Sequence, residues 1–268
     1  MSRYVAMFER LRARGEGAFG AFVMLGDPDL ATSAAILGAL VEGGSDMLEV
    51  GIPFSDPVAD GPVIQAAAVR ALAAGTRTAD CFRLLAEFRS RHPEVAVGIL
   101  TYANLVMARG REAFYRAAAE AGVDSVLVAD VPLIEADPFL LAARSAGVAP
   151  VLIAAPNTSP DRLARIAEEG EGYTYCVARA GVTGADSRVR FAGEVIAALV
   201  EAGAPPPVLG FGIAAPDHVR LALRAGAAGV ISGSAIVDRI ARCEDVRAFV
   251  AEMKAASRHP GGSRDPSE

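Results

Sequence analysis

The chain has 268 residues, 52% of them hydrophobic and 22% charged, with a formal net charge of −6. That length fits one large α/β domain or two small ones and supplies apolar residues for a sizeable core. The acidic balance argues against a protein that grips nucleic-acid phosphates through a basic surface, and no apolar run reaches the length of a membrane span.

The first residues, MSRYVAMFERLRARGEG, scatter charges through an apolar pattern and contain no signal-peptide h-region. They predict a short amphipathic helix. Apolar, β-rich runs then alternate with longer Ala/Leu/Arg segments of helical spacing. The predicted strands are Gly20–Met24, Met47–Val50, Val95–Leu100, Ser125–Val128, Ala149–Ile153, Tyr173–Val177, Val208–Gly210 and Gly229–Ile231. Predicted helices between them include Ala31–Val41, Glu112–Ala121, Pro160–Glu168 and Pro216–Ala225, and Gly75–Arg91 holds an additional one. Glycines such as Gly122 and Gly226 close helices as left-handed caps. Continuous apolar strands joined by helices imply a parallel sheet covered on its faces.

Eight such units in about 250 residues fit an α/β (β/α)8 TIM barrel with additional N-terminal and inserted helices. A doubly wound sheet would want a glycine-rich dinucleotide fingerprint after its first strand, which this chain lacks. Residues 1–256 read as a single domain. The tail from Ser257 to Glu268 has no apolar residue and is expected to be disordered. Cys81, Cys176 and Cys243 are odd in number and far apart, which suits reduced thiols in a cytoplasmic protein.

In such a barrel the chemistry lies where the strands end. Glu49 interrupts the second strand, where an unpaired buried charge is costly unless it is used. Alternation puts Met47 and Glu49 on one face, so Glu49 points either into the barrel mouth or outward to an arginine among the helices. Asp60 follows in a loop bounded by Pro57 and Pro62. Two converging carboxylates can divide acid and base roles. Asp27 and Asp56 read as loop anchors. Tyr173 and Tyr175 share a face of strand six and read equally as core or as pocket wall. Gly210-Phe211-Gly212 and Ser232-Gly233-Ser234 follow strands seven and eight, where glycines and the helix opened by Ser234 favour a phosphate. Tight βα turns are the alternative for these glycines.

An apolar mouth (Phe22, Leu100, Leu127, Ile153, Tyr175, Phe211) completes a site for a phosphorylated substrate with a bulky apolar group. A Schiff-base aldolase needs a lysine in the barrel, but the single lysine, Lys254, lies near the C-terminus. His92, His218 and His259 are too scattered for a metal aldolase. Carboxylate acid–base chemistry remains, with the substrate as its own electron sink.

The segments LEVGIPFSDPVADGPVIQ, YANLV, GVDSVLVADVP, GYTYCVARAGVTGA, GFGI and AGVISGSAIV resemble the tryptophan synthase alpha subunit family, from about Phe19 to Ile240. The resemblance implies retro-aldol cleavage of indole-3-glycerol phosphate to indole and glyceraldehyde 3-phosphate, in L-tryptophan biosynthesis. It implies Glu49 as the acid/base for the glycerol hydroxyl and C3 protons, and Asp60 facing the indole N–H. Gly184, Gly212, Gly233 and Ser234 match phosphate positions, and Phe22, Leu100, Tyr175 and Phe211 match pocket walls. Thr183 matches a closing loop that meets Asp60.

The resemblance also implies an α2β2 heterotetramer with a beta subunit that carries the pyridoxal phosphate, so this chain itself needs no cofactor. The loop of Asp56 and the Tyr102–Met107 segment would face that partner. One departure stands out: Ala21-Phe22-Val23-Met24 replaces the family's Pro-Phe-x-Thr, which puts a long side chain near the expected pocket floor. Met24 motivates an alternative reading, a weakly active allosteric module for the beta subunit. A third reading is another phosphate-barrel enzyme, such as an isomerase.

Overall fold

Alternation along the strands decides what fills the inside of this molecule. The computed structural model describes residues 2–177 and 185–258, with backbone alone over 185–192. Among them, nine strands are β1 (Ala18–Met24), β2 (Met47–Gly51), β3 (Ala96–Thr101), β4 (Ser125–Val128), β5 (Ala149–Pro150), β6 (Leu152–Ala154), β7 (Thr174–Cys176), β8 (Pro207–Leu209) and β9 (Gly229–Ser232). All pair in parallel, in the order β5-β4-β3-β2-β1-β9-β8-β7-β6. The two ends, β5 and β6, are pieces of one strand separated by Val151, so the sheet closes on itself. The expected strand Ala149–Ile153 is therefore split; Pro150 has no N–H to give to the ladder.

Outside the ring lie α2 (Leu30–Glu42), α3 (Pro62–Ala73), α4 (Thr78–Arg91), α5 (Ala103–Arg109), α6 (Arg111–Glu120), α7 (Asp137–Ser145), α8 (Pro160–Glu169), α9 (Ala185–Glu201), α10 (Pro216–Arg224), α11 (Ser234–Ala241) and α12 (Val246–Ala255). Local chemistry starts several of them. Asp29 caps α2 by accepting the Thr32 N–H at 2.9 Å, and proline opens α3, α8 and α10. One apolar cluster fills the layer between strands and helices.

A second cluster fills the barrel interior and takes in α1 (Arg3–Ala13). This helix buries Tyr4, Met7, Phe8 and Leu11 against the end where the strands begin. The Tyr4 hydroxyl shares a 2.8 Å hydrogen bond with Ser125 Oγ, and Arg3 pairs with Asp124 at 2.8 Å. The amphipathic N-terminus is thus a plug that leaves the opposite mouth open.

Residue 257 does not begin a disordered tail. Ser257 is buried, its carbonyl accepts the Gly17 N–H at 2.9 Å, and residue 258 makes an antiparallel bridge with Glu16. Residues 259–268 lie outside the described residues.

Candidate active site

Glu49 sits midway along β2, paired in register with Phe22 on β1 and Gly98 on β3. It points into the barrel and is 1% exposed. The Tyr173 hydroxyl donates a 2.6 Å hydrogen bond to its Oε1. Oε2 has no hydrogen-bond partner among the described residues. Gly98 makes room for this arrangement: a Cβ there would lie 2.6 Å from Ser125 Oγ, 2.9 Å from the Tyr4 hydroxyl and 3.7 Å from that of Tyr173. Burial pushes the Glu49 carboxyl up to about 7; the Tyr173 hydrogen bond opposes the rise and the Asp60 charge adds to it. A carboxyl held there exchanges protons readily near neutral pH.

Asp60 reaches the same space from the loop between β2 and α3. It is half-buried, and its carboxyl is raised by desolvation, against a hydrogen bond from Tyr102. Both carboxyls line one cavity of about 500 Å³ at the mouth formed by the C-terminal strand ends. Phe22, Leu100, Tyr175, Phe211, Gly212, Gly233 and Ser234 line it too. Thr183 and Gly184 lie outside the described residues.

The walls divide by chemistry. Apolar surface from Phe22, Ile64, Leu100, Leu127, Ile153 and Tyr175 flanks the carboxyls. Tyr175 is locked by donating to the Gly210 carbonyl at 3.1 Å. A Cβ at Gly210 would fall 2.1 Å from its ring, so only glycine lets the two meet. The glycine turns lie across the cavity mouth. Gly212 has φ +78°, a conformation that favours glycine. Gly233 caps α11, whose first N–H groups have no partner within the helix. The Ser232 hydroxyl donates to the Ile213 carbonyl at 2.7 Å and holds the two turns together. Such a helix start favours an anion.

Several contributors escape sequence reasoning. Ile64 enters from the first turn of α3, four residues past Asp60. Asn157 lines the rim in the loop after β6, a strand end left unread. Tyr102 is 2% exposed and turns toward Asp60. Tyr173 does not line the cavity; it braces Glu49 from below. Asp27 is the anchor expected of it, held by Arg70 Nε and Nη2 at 2.7 and 2.8 Å, and among the described residues the Asp56 carboxylate bonds locally, to Ser55. Met24 packs in the barrel interior with Phe22 and Ile64. It is 4% exposed and does not line the cavity; a Cβ on Gly51, its register partner, would meet its Cε at 2.9 Å and Sδ at 3.0 Å.

Residues 8–260 match the family model described as tryptophan synthase alpha chain. The chain belongs to this family. It is 55% identical over 266 residues to the tryptophan synthase alpha chain of Shewanella amazonensis, covering 96% of this chain and 100% of that one. The Cronobacter sakazakii alpha chain is 53% identical, with 96% and 99% covered. Among solved structures, a Mycobacterium tuberculosis tryptophan synthase chain superposes with a TM-score of 0.89 at 32% identity, over 96% of this chain and 99% of that chain. A chain from Aquifex aeolicus VF5 gives 0.90 at 32% identity, over 97% and 100%.

Proposed function

We propose that this chain cleaves indole-3-glycerol phosphate to indole and glyceraldehyde 3-phosphate, the alpha reaction of L-tryptophan biosynthesis. The observation that carries this reading is a pair of inward carboxyls, Glu49 and Asp60, lining one apolar cavity that also receives the α11 N-terminus. The phosphate binds at Gly184, Gly212, Gly233 and Ser234, and Thr183 meets Asp60. The indole ring lies among Phe22, Leu100, Leu127, Tyr175 and Phe211.

Protonated Glu49 gives its proton to indole C3. The ring becomes an indoleninium, and the Asp60 carboxylate accepts the indole N–H and balances the positive charge. Glu49, now a carboxylate, takes the proton of the hydroxyl on the adjoining glycerol carbon. The C–C bond electrons return to the ring, and an aldehyde leaves. Protons and electrons balance, and Glu49 ends protonated as it began. A carboxyl poised near 7 suits both halves of this cycle.

The chain works in the cytoplasm as the alpha part of an α2β2 heterotetramer. It carries no cofactor; pyridoxal phosphate belongs to the beta subunit, which consumes the indole. The Asp56 loop and the α5 segment face that partner. Val58 in that loop is 81% exposed and Met107 on α5 is 49% exposed, apolar surface of the kind a partner covers. Met24, on which the weakly active allosteric alternative rests, is not among the residues lining the cavity, which favours the lyase reading.

The test is indole release from indole-3-glycerol phosphate by the wild-type chain and by Glu49→Gln, each with a beta subunit. Loss of about 10³-fold in kcat, with partner binding intact, supports the assignment. Wild-type turnover in the variant refutes it.

A further inference from the structure

We propose that Tyr102 is a positioning residue for the cleavage, its hydroxyl pinning the loop that carries Asp60 and aiming that carboxyl at the substrate. This inference rests on the reading of Asp60 given above.

Tyr102 is itself firmly held. It follows the last residue of β3 and caps α5, its carbonyl accepting the Leu105 and Val106 N–H groups at 3.1 and 3.4 Å. The next residue, Ala103, donates its N–H to Asp130 Oδ1 at 2.7 Å, which ties this corner to the loop after β4. From that base the side chain crosses to the loop after β2. Its ring packs on Phe54, with centroids 5.4 Å apart, and its hydroxyl accepts the N–H of Ala59, the residue before Asp60, at 3.2 Å.

The loop needs this support. Among the described residues its other hydrogen bonds run within it or to the start of α3, such as Asp60 N–H to the Pro57 carbonyl at 3.1 Å and Gln65 Nε2 to the Asp60 carbonyl at 2.8 Å. Since the hydroxyl oxygen already accepts from Ala59, its own proton is available to the Asp60 carboxylate. One hydroxyl thereby holds the backbone before Asp60 and faces its side chain, at the edge of the cavity.

The electrostatics agree with the geometry. Among the described residues the groups facing Asp60 are Glu49 on β2, Tyr175 on β7 and Tyr102, and Asp130 acts on Tyr102 from the far side. Of these only the Tyr102 hydroxyl holds the Asp60 carboxyl down against desolvation. An ionised Asp60 is the form that accepts an indole N–H.

Tyr102→Phe keeps the ring against Phe54 and deletes only the hydroxyl. In the full chain assembled with a beta subunit, kcat for indole release falls about tenfold. KM stays within about twofold, because walls and phosphate turns are untouched, and the pH limb governed by Asp60 moves upward. Wild-type kcat with an unmoved pH profile overturns the inference. So does a fall in kcat that merely follows a lowered unfolding midpoint with the profile unchanged. Asp60→Asn, assayed alongside, separates the two levels. If it retains wild-type turnover, the role of Asp60 fails and this inference with it. If it is inactive while Tyr102→Phe matches wild type, only the role of Tyr102 fails.

Discussion

The hydroxyl of Tyr173 lies 2.6 Å from Glu49 Oε1 and binds one oxygen of a carboxyl whose other oxygen is left for the cavity. This asymmetry orients an acid/base group without saturating it. It also restrains the carboxyl against desolvation, since hydrogen bonding to the ionised form favours that form. Tyr173→Phe leaves the ring packed on Tyr4, 5.3 Å between centroids, and removes the donor. The Glu49 limb of the pH–rate profile then moves above its wild-type position near 7, and kcat at neutral pH falls about five- to tenfold. A profile that does not move would mean the hydroxyl is idle.

Burial of Glu49 has a price in stability that pH reveals. Its native value of about 7 lies above the 4.5 of an ordinary glutamate. Between those values the folded protein binds more protons than the unfolded chain, so stability falls as pH rises, and the loss is complete above about 7. Its full size is about 3 kcal/mol. Glu49→Gln removes the ionisation. Compared with wild type, the variant gains about that much between pH 4 and pH 8 in urea unfolding. An equal difference at both pH values contradicts the assignment of a raised carboxyl.

The barrel was legible because its signals are redundant. Eight apolar runs, each with a helix behind it, leave few architectures. Glu49 was legible for a different reason: a charge in an apolar strand needs a purpose, and Asp60, in the loop that follows, drew meaning only from that neighbour. The partners of these groups were not legible. Tyr173 and Tyr175 alternate identically, yet one braces Glu49 and the other walls the cavity, because depth in the barrel is invisible to a period of two. Tyr102 read as a residue after the third strand and, through the resemblance, as part of a partner-facing segment; it is the tertiary path of the β2–α3 loop that brings Ala59 to its hydroxyl. Met24 read as an intruder for a similar reason. Parallel pairing sets it opposite Gly51, a relation set by register between strands rather than by either strand alone.

That pairing is testable as a coupled exchange of volume. The β1–β2 ladder sets Met24 against Gly51 and Gly20 against Met47, a large side chain beside a missing one at each end of the Phe22–Glu49 pair. A Cβ on Gly51 would also stand 3.0 Å from Cζ of Phe22. Gly51→Ala overpacks this corner, lowers stability by about 1–3 kcal/mol and raises KM by pressing Phe22 toward the substrate. Met24→Ala alone loses about 2–4 kcal/mol through the void it leaves. The double variant is more stable than the sum of the two losses predicts, by at least about 0.5 kcal/mol. Additive unfolding free energies would show that the two positions do not share space.

Lys254 closes the opposite end of the barrel. Its Nζ donates to Glu16 Oε2 at 3.0 Å and Asp46 Oδ2 at 2.8 Å, joining α12 to the segments that enter β1 and β2. Asp46 Oδ2 also accepts the Phe19 N–H at 2.9 Å, so the clasp sets how those two strands start. Arg258 and Arg10 stand farther off, 3.6 Å from Glu16 and 3.8 Å from Asp46, and replace little of it. Lys254→Met keeps the apolar stem and deletes the charge, at a loss on the order of 2 kcal/mol, between an exposed and a fully buried pair. The hydrogen bond from Lys254 holds the Glu16 carboxyl below the usual 4.5. A depressed carboxyl contributes stability that is present above the unfolded value and disappears as pH falls through the native one. The deficit of Lys254→Met is therefore greatest above about pH 5 and shrinks in more acidic solution, while indole release stays within about twofold of wild type. Urea unfolding at a series of pH values checks it; a deficit that does not change with pH would assign the clasp to packing alone.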